Sequence, residues 1–552
     1  MRLPRSLCVV LVLLGSIPLL LTPAAFASAY NARPKLVVVI VIDQFRGDYL
    51  ERYRDQFGDG GFRVFLDRGA YFTDCNYDYA NTRTAPGHAT LFTGSYTSGH
   101  GIVANEWWDP QKKKRVTSVE DDTTKLVGVG GGKTGPGASP HNLLSDTLGD
   151  ELKLATGGKA RVFAISLKDR AAVLPAGFSG DAAYWIDQKS GDWITSTYYR
   201  PDLPEWVRNF NSSHRAEKYW NREWKDSDGN TLGSTASRSG KDGAPAGFYE
   251  IVGSTPFAND YQLEFAKELV LYEKLGTGSV TDLLVISLSA NDILGHQVGP
   301  DSPQMRGMAL ELDRQLAEFF NFLGHQIGMA NVWMALSADH GVAPLPEFAK
   351  TLRLPAANLD AKALREQINS LLSKKYAKKA DYVLDLDYPL AWLNEDAFAG
   401  IFLGHKESED EADAGEAMKQ AGLAGYFTKS QLARGETPPT EIGRRYAHSY
   451  SPEGGWYVVG IPSPFLVGIT KGTDHASPFS YDTHVPLAFY GLAFQPGTYR
   501  THAEPVDLAV TLASLLGINA PAQATGRVLT EALPPPHHST AASAAPPAGG
   551  TQ

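Results

Sequence analysis

Four short segments of this chain bring aspartate and histidine together in patterns that suit a metal centre. They are Asp43, which ends a β-branched run, then Asp292-Ile-Leu-Gly-His296, Asp339-His340 and Asp482-Thr-His484. The i, i+4 spacing of Asp292 and His296 puts both side chains on one face of a helical turn, as chelation of a single ion requires. Asp339 and His340 are adjacent where an apolar run ends, so both can turn toward one centre as the chain leaves a sheet. The strand-end aspartates Asp43, Asp292 and Asp339, with His296, His340 and His484, suffice for two ions. A mixed carboxylate and imidazole set suits zinc or another borderline divalent cation. Any one segment alone reads as well as a helix cap or a surface acid; four at comparable positions do not.

A fifth segment, Asn81-Thr-Arg-Thr84-Ala-Pro86-Gly-His88, supplies a candidate nucleophile. Pro86 suits a first helical turn, which places Thr84 just ahead of a helix N-terminus whose free N–H groups and dipole favour an anion. Threonine is weakly acidic, but a divalent metal can convert its hydroxyl into an alkoxide at ordinary pH. In isolation Thr84 would read as an N-cap, and His88 on the following turn as a packing histidine.

These residues must be held by a scaffold. Lys35 to Asp43 is a continuous β-branched run, as in a parallel strand buried on both faces, and Ala160 to Ser166, Thr281 to Leu288, Asn331 to Ser337 and Val485 to Tyr490 repeat it. Helical patterns intervene, clearest in Met305 to Phe322 and Glu504 to Leu516. The alternation predicts an α/β fold: an open, mostly parallel central sheet with helices on both faces and ligands at the carboxyl ends of its strands. Residues 107–256, rich in Gly, Trp and Tyr, and 345–471, with mixed short elements, read as insertions that cover or flank the site of a catalytic domain spanning 30–533. Residues 534–552, rich in Pro, Ala, Ser and Gly, read as a disordered tail.

The composition is globular: 552 residues, 43% hydrophobic and 20% charged, with a formal charge of −10 and no long basic run. Nucleic acid is therefore not an expected partner. Residues 1–29 carry Arg2 and Arg5, an apolar run from Leu7 to Leu21, and small residues at Ala25, Ala27 and Ala29, which is the pattern of a cleaved secretory signal. Export to the periplasm or the medium follows, with no membrane anchor after cleavage. Cys8 lies in the signal, so Cys75 is the one remaining thiol and no disulfide is expected.

In order and content the five motifs resemble those of the alkaline phosphatase superfamily, and within it the PafA-type bacterial alkaline phosphatases that use threonine as nucleophile. The resemblance runs from about Lys35 to Leu529. It implies two zinc ions per chain: one held by Asp292, His296 and His484, the other by Asp43, Asp339 and His340 with Thr84. It also implies that Lys168 and Arg170 grip phosphate oxygens and that Asn105 is a third phosphate contact. The i, i+2 spacing of Lys168 and Arg170 on an extended segment would put both on one face. His475 lies near the last motif but matches none of the metal-contacting ligands, and is expected to support them from behind or to be purely structural. The implied activity is hydrolysis of small phosphate monoesters through a phosphothreonine. The nearest alternative is a nucleotide pyrophosphatase/phosphodiesterase of the same superfamily. A monoester dianion calls for cations around its oxygens, where a diester calls for an apolar groove. A non-catalytic zinc- or phosphate-binding protein would need a missing nucleophile or ligand, and none is missing.

Overall fold

The computed structural model describes residues 33–129, 135–236, 247–399 and 406–534. The expected signal, residues 1–29, and the expected tail beyond Pro534 lie outside the described residues. Among those described, no helix is long and apolar enough to cross a membrane.

The run Leu36–Ile42 forms the central strand, and all its side chains are buried. Burying each Val, Ile or Leu there contributes roughly 1.5–3 kcal/mol relative to leaving it exposed. The strand pairs in parallel with Asp282–Leu288 on one side and Val332–Ser337 on the other. Val162–Ser166 and Ala182–Ile186 continue the parallel run beyond Asp282–Leu288.

The full sheet has 11 strands. Its flanks are mixed: Leu487–Tyr490 runs antiparallel between Val332–Ser337 and Ala70–Phe72, and the far side ends in Trp193–Ser196, Glu120–Val127 and Pro136–Ala138, all antiparallel to their neighbours. Helices cover both faces, among them Pro256–Tyr272, Pro303–Gln326 and Asp507–Leu516.

One expectation needs correction. Besides the expected strand at Val162–Ser166, residues 107–256 are not simply an insertion beside the sheet, because Glu120–Val127, Pro136–Ala138, Ala182–Ile186 and Trp193–Ser196 are also strands of it. Short strands broken by glycines and indoles carry little of the β-branched periodicity that marks the centre. Residues 345–471, by contrast, build their own antiparallel sheet from Val383–Asp387, Leu390–Leu393, Gly425–Thr428 and Tyr457–Ile461. That unit has a separate core around Ile368, Leu372, Met418 and Val458. A second apolar cluster joins it to the main body, where Ala80, Val103 and Ala104 meet Leu390, Trp392, Tyr446 and Tyr457.

Strand register gathers the chemistry. Ile42 lies opposite Leu288, and Val41 opposite Ser337. The chain segments that leave these strands, carrying Asp43, Asp292 and Asp339, therefore emerge side by side at the carboxyl edge, where open α/β sheets bind ligands.

Candidate active site

Asp43 follows its strand directly, and its N–H donates to the Leu288 carbonyl (3.1 Å). The next residue, Gln44, adopts a left-handed backbone (φ 61). That turn lets its N–H donate to Asp339 Oδ1 (3.0 Å) and its amide nitrogen to Asp292 Oδ1 (2.7 Å). Asn291 donates to both the Asp43 and Gln44 carbonyls (2.9 and 3.0 Å). Two amide side chains that sequence reading passed over thus lock the three acid-bearing turns together.

Asp292 and His296 share the helix Ala290–Val298, and His296 Nε2 lies 3.0 Å from Asp292 Oδ1. The other imidazole nitrogen of His296 faces the Thr473 carbonyl at 2.8 Å, which makes Nδ1 the donor and turns Nε2 toward the acid. Burial opposes a charge on His296, but Asp292 outweighs it and lifts the group to about 10. His340 is fixed the same way: Nδ1 donates to the Gly341 carbonyl (2.9 Å), leaving Nε2 3.5 Å from Asp43 Oδ1. His88 is more than packing, because its fully buried ring spans the Thr84 carbonyl (2.8 Å) and Ser287 Oγ (2.8 Å) and lies 3.3 Å from Asp339 Oδ2.

The two C-terminal histidines exchange places relative to expectation. His484 turns away from the acids: its Nε2 meets the Thr73 carbonyl at 2.9 Å, and its ring packs so tightly on Gly47 that a Cβ there would lie 2.7 Å from it. His475 takes the inner position. Its ring stacks on His340 with centroids 3.7 Å apart, its Nδ1 donates to the Thr82 carbonyl (2.7 Å), and its Nε2 lies 3.9 Å from Asp292 Oδ1. Burial, then the neighbouring His340 and His296, keep His475 neutral by holding its pKa well below the ordinary histidine value. The Asp474-His475 pair repeats the Asp339-His340 pattern, and that was the available sequence signal. Asp482 is structural, accepting from Ser477 N and Oγ (3.0 and 2.5 Å).

The donor set fits divalent cations. Asp43, Asp339 and His340 place one ligand atom each within 4.8 Å of one another, as do Asp292, His340 and His475, and also His296, Asp474 and His475. Asp43 Oδ1, Asp339 Oδ2 and His340 Nε2 are buried with no hydrogen-bond partner. Orphaned buried acceptors of this kind are costly unless they serve a ligand. Burial first, then Asp292 and Asp339, raise the pKa of Asp43, while Lys168 and His296 overcome burial to hold Asp292 well below the carboxylate range. This concentration of negative charge would be relieved by cations.

Thr84 is the first residue of the helix Thr84–Thr93, preceded by an extended Arg83, and is 1% exposed. The helix seats directly on the Asp339 strand end: a Cβ at Gly87 would come 2.2 Å from the Asp339 carbonyl oxygen. The Ala85 N–H donates to Asn105 Oδ1 (2.7 Å), which turns the NH2 of Asn105 away from the helix. Lys168 Nζ lies 3.4 Å from Thr84 Oγ1 and also contacts Asp43 Oδ2 (2.5 Å) and Asp292 Oδ2 (2.6 Å). Burial disfavours its charge, but Asp292 and Asp43 more than compensate and raise its pKa. Lys168 and Arg170 do not lie on an extended segment. Lys168 is the N-cap of the helix Asp169–Ala176, and Arg170 sits in its first turn with a buried Nε that has no hydrogen-bond partner. The structure thus brings Asp43, Thr84, Asn105, Lys168, Arg170, Asp292, His296, Asp339 and His340 to one edge, adds His475, and leaves His484 outside.

The family described as type I phosphodiesterase / nucleotide pyrophosphatase matches residues 37–421. Alkaline phosphatase PhoV of Synechococcus elongatus is 34% identical, over 91% of this chain and 93% of its own length. A protein of Myroides odoratus named calcium-transporting ATPase is also 34% identical, over 92% of this chain and 96% of its own. Alkaline phosphatase PafA of Elizabethkingia meningoseptica is 32% identical over 91% of this chain and 95% of its own length. A crystal structure of alkaline phosphatase PafA superposes with a TM-score of 0.82 at 31% identity, covering 91% of this chain and 99% of that one. The chain belongs to the type I phosphodiesterase / nucleotide pyrophosphatase family and, within the alkaline phosphatase superfamily, to the PafA-type alkaline phosphatases.

Proposed function

We propose that this is an exported, zinc-dependent phosphatase that hydrolyses small phosphate monoesters through a phosphothreonine at Thr84. The observation that carries the reading is the buried Thr84 hydroxyl, set at a helix N-terminus 3.4 Å from Lys168 Nζ, which itself contacts Asp43 and Asp292. Asp292, His296 and His475 would hold one zinc, and Asp43, Asp339 and His340 with Thr84 the other. Bound there, the ions supply Lewis-acid charge that acidifies a hydroxyl or water and offsets the charge of the phosphate.

The chain's own groups do the rest. Thr84 Oγ forms a bond to phosphorus as the ester oxygen leaves, and water later displaces Thr84 to release phosphate. The N-terminal dipole of the Thr84 helix favours the anionic group beside it. The NH2 of Asn105 and the unpartnered Nε of Arg170 are free to donate to phosphate oxygens. Lys168 adds a positive charge beside the attacking oxygen. His88 bonds the Thr84 carbonyl through the ring nitrogen that also lies 3.3 Å from Asp339, which sets the proposed nucleophile beside the acid cluster.

The family description favours a second reading, a diesterase. Lys168 and Arg170 separate the two, because a monoester offers three non-bridging oxygens and about two negative charges, and a diester two oxygens and one charge. The test measures zinc content and hydrolysis of p-nitrophenyl phosphate and its bis ester, for the parent and for Lys168→Ala with Arg170→Ala. Each charge-assisted contact contributes roughly 1.5–3 kcal/mol, so monoester kcat/KM should fall by several orders of magnitude and the diester rate much less. A faster parental rate on the bis ester, or equal losses on both substrates, would favour the diesterase.

A further inference from the structure

The segment entering the Thr84 helix is tied to the rest of the molecule from several directions. The Ala80 N–H donates to Ser449 Oγ (2.8 Å) and the Arg445 carbonyl (3.2 Å), both in the 345–471 unit. Thr82 binds the His475 loop, accepting from His475 Nδ1 and from the Ala476 N–H (3.1 Å) while its hydroxyl donates to the Ser477 carbonyl (3.0 Å). Arg83 then reaches back into the 345–471 unit. Its Nη2 donates to the Asp387 carbonyl (3.0 Å) and the Tyr388 carbonyl (2.8 Å), its Nη1 to Asn81 Oδ1 (3.1 Å), and the Asp387 carboxylate lies 3.4 Å away.

Three features make this more than a packing contact. Arg83 is 4% exposed, and a guanidinium is rarely buried without a partner that repays its desolvation. It stands immediately before Thr84 and is the N-cap residue of that helix, yet its own side chain makes no capping hydrogen bond and points elsewhere. The placement of Thr84 is therefore set by the groups on either side of it, Ala85 held by Asn105 and Arg83 held by the turn at Asp387–Tyr388. The planar fork of arginine satisfies acceptors on both sides of that junction at once, which a point charge does not do as well.

We propose that Arg83 is a positioning residue: it fastens the backbone of Thr84 to the 345–471 unit through the Asp387 and Tyr388 carbonyls, so that this unit fixes the line of attack of the Thr84 hydroxyl. The inference rests on Thr84 being the nucleophile. Because the Arg83 side chain spends its hydrogen bonds on Asn81, Asp387 and Tyr388 and not on the Asp and His ligands, Lys168, Arg170 or Asn105, loosening it should disturb the attack more than the binding of phosphate or zinc.

The test uses the full zinc-loaded protein and methyl phosphate, whose poor leaving group keeps phosphoryl transfer rate-limiting. Arg83→Met should lower kcat about 10- to 100-fold, the scale expected for a misplacement near 1 Å, with KM within about twofold of the parent and zinc content unchanged. Arg83→Lys should fall between the two. A parental kcat in Arg83→Met overturns the proposal, and so does a parallel loss of kcat, zinc and phosphate affinity, which marks a general structural role. If Arg83→Met does not fold, Arg83→Lys decides by the same split: reduced kcat at unchanged KM supports the proposal, and unchanged kcat overturns it. Thr84→Ala, run alongside, separates the two claims. An active Thr84→Ala sinks the nucleophile assignment, whereas an inactive one beside fully active Arg83 variants sinks only the role of Arg83.

Discussion

At Thr84 the proposed function hangs on a single hydroxyl. Thr84→Ala deletes the attacking oxygen and leaves the six Asp and His ligands in place, so zinc should stay bound while turnover of p-nitrophenyl phosphate falls by on the order of 10³-fold or more. Thr84→Ser keeps the hydroxyl, loses one methyl, and should retain measurable activity with a trappable phosphoenzyme. The two late histidines allow an equally sharp comparison. His475 stacks on His340 beside Asp292, whereas His484 is spent on the Thr73 carbonyl. Metal analysis after His475→Ala should show one of the two proposed zinc ions lost, and after His484→Ala both retained, with at most a loss of stability. Zinc lost only from the His484 variant would reverse the assignment.

Among the elements, the Thr84 helix is seated tightly. Gly87 allows that helix to touch the Asp339 strand end, where an added Cβ would sit 2.2 Å from a carbonyl oxygen. Gly87→Ala should therefore push the helix outward, at a cost of about 1–3 kcal/mol, and lower kcat/KM together with the thermal midpoint; a variant with both values parental would show that the helix can yield without moving Thr84. Such close approaches are tertiary facts, and they mark where sequence reading ran out. The central strand was legible because six of the seven residues of Leu36–Ile42 are β-branched and all are buried. The pairing of Asp292 with His296 was legible because helical spacing alone places them together. The strands at Glu120–Val127 and Trp193–Ser196 were not, since their partners rather than their own periodicity hold them in the sheet. Nor could spacing choose between His475 and His484. That choice depends on the Thr82 and Thr73 carbonyls, which lie 393 and 411 positions earlier in the chain.

Across the whole molecule, the 345–471 unit is joined to the main body by an apolar cluster and, at its edge, by a charged one centred on Asp78. Arg444 forks onto the Asp78 carboxylate at 2.6 and 2.9 Å, and His448 lies 3.2 Å from it while stacking on Tyr96. Burial opposes the Asp78 charge, but His448 and Arg444 overcome it and hold its pKa down; Asp78 in turn holds that of His448 up against burial. The signs differ for the two groups. A depressed carboxylate contributes stability above its unfolded pKa near 3.9, and that share is lost as pH falls through the folded value. A raised histidine contributes fully below its unfolded pKa near 6.5, and that share is lost as pH rises through its folded value. Alkaline conditions should therefore remove the histidine share of this junction while leaving the Arg444 share intact. Thermal unfolding measured from pH 6 to pH 9 checks this: His448→Ala should be clearly less stable than the parent at pH 6, and the gap should close toward pH 9. The Arg444→Ala deficit should stay nearly constant over the same range and shrink with added salt, because that arginine is 56% exposed and its contribution is screened. A His448→Ala deficit independent of pH would mean that the stack on Tyr96, rather than the charge, holds that side of the junction.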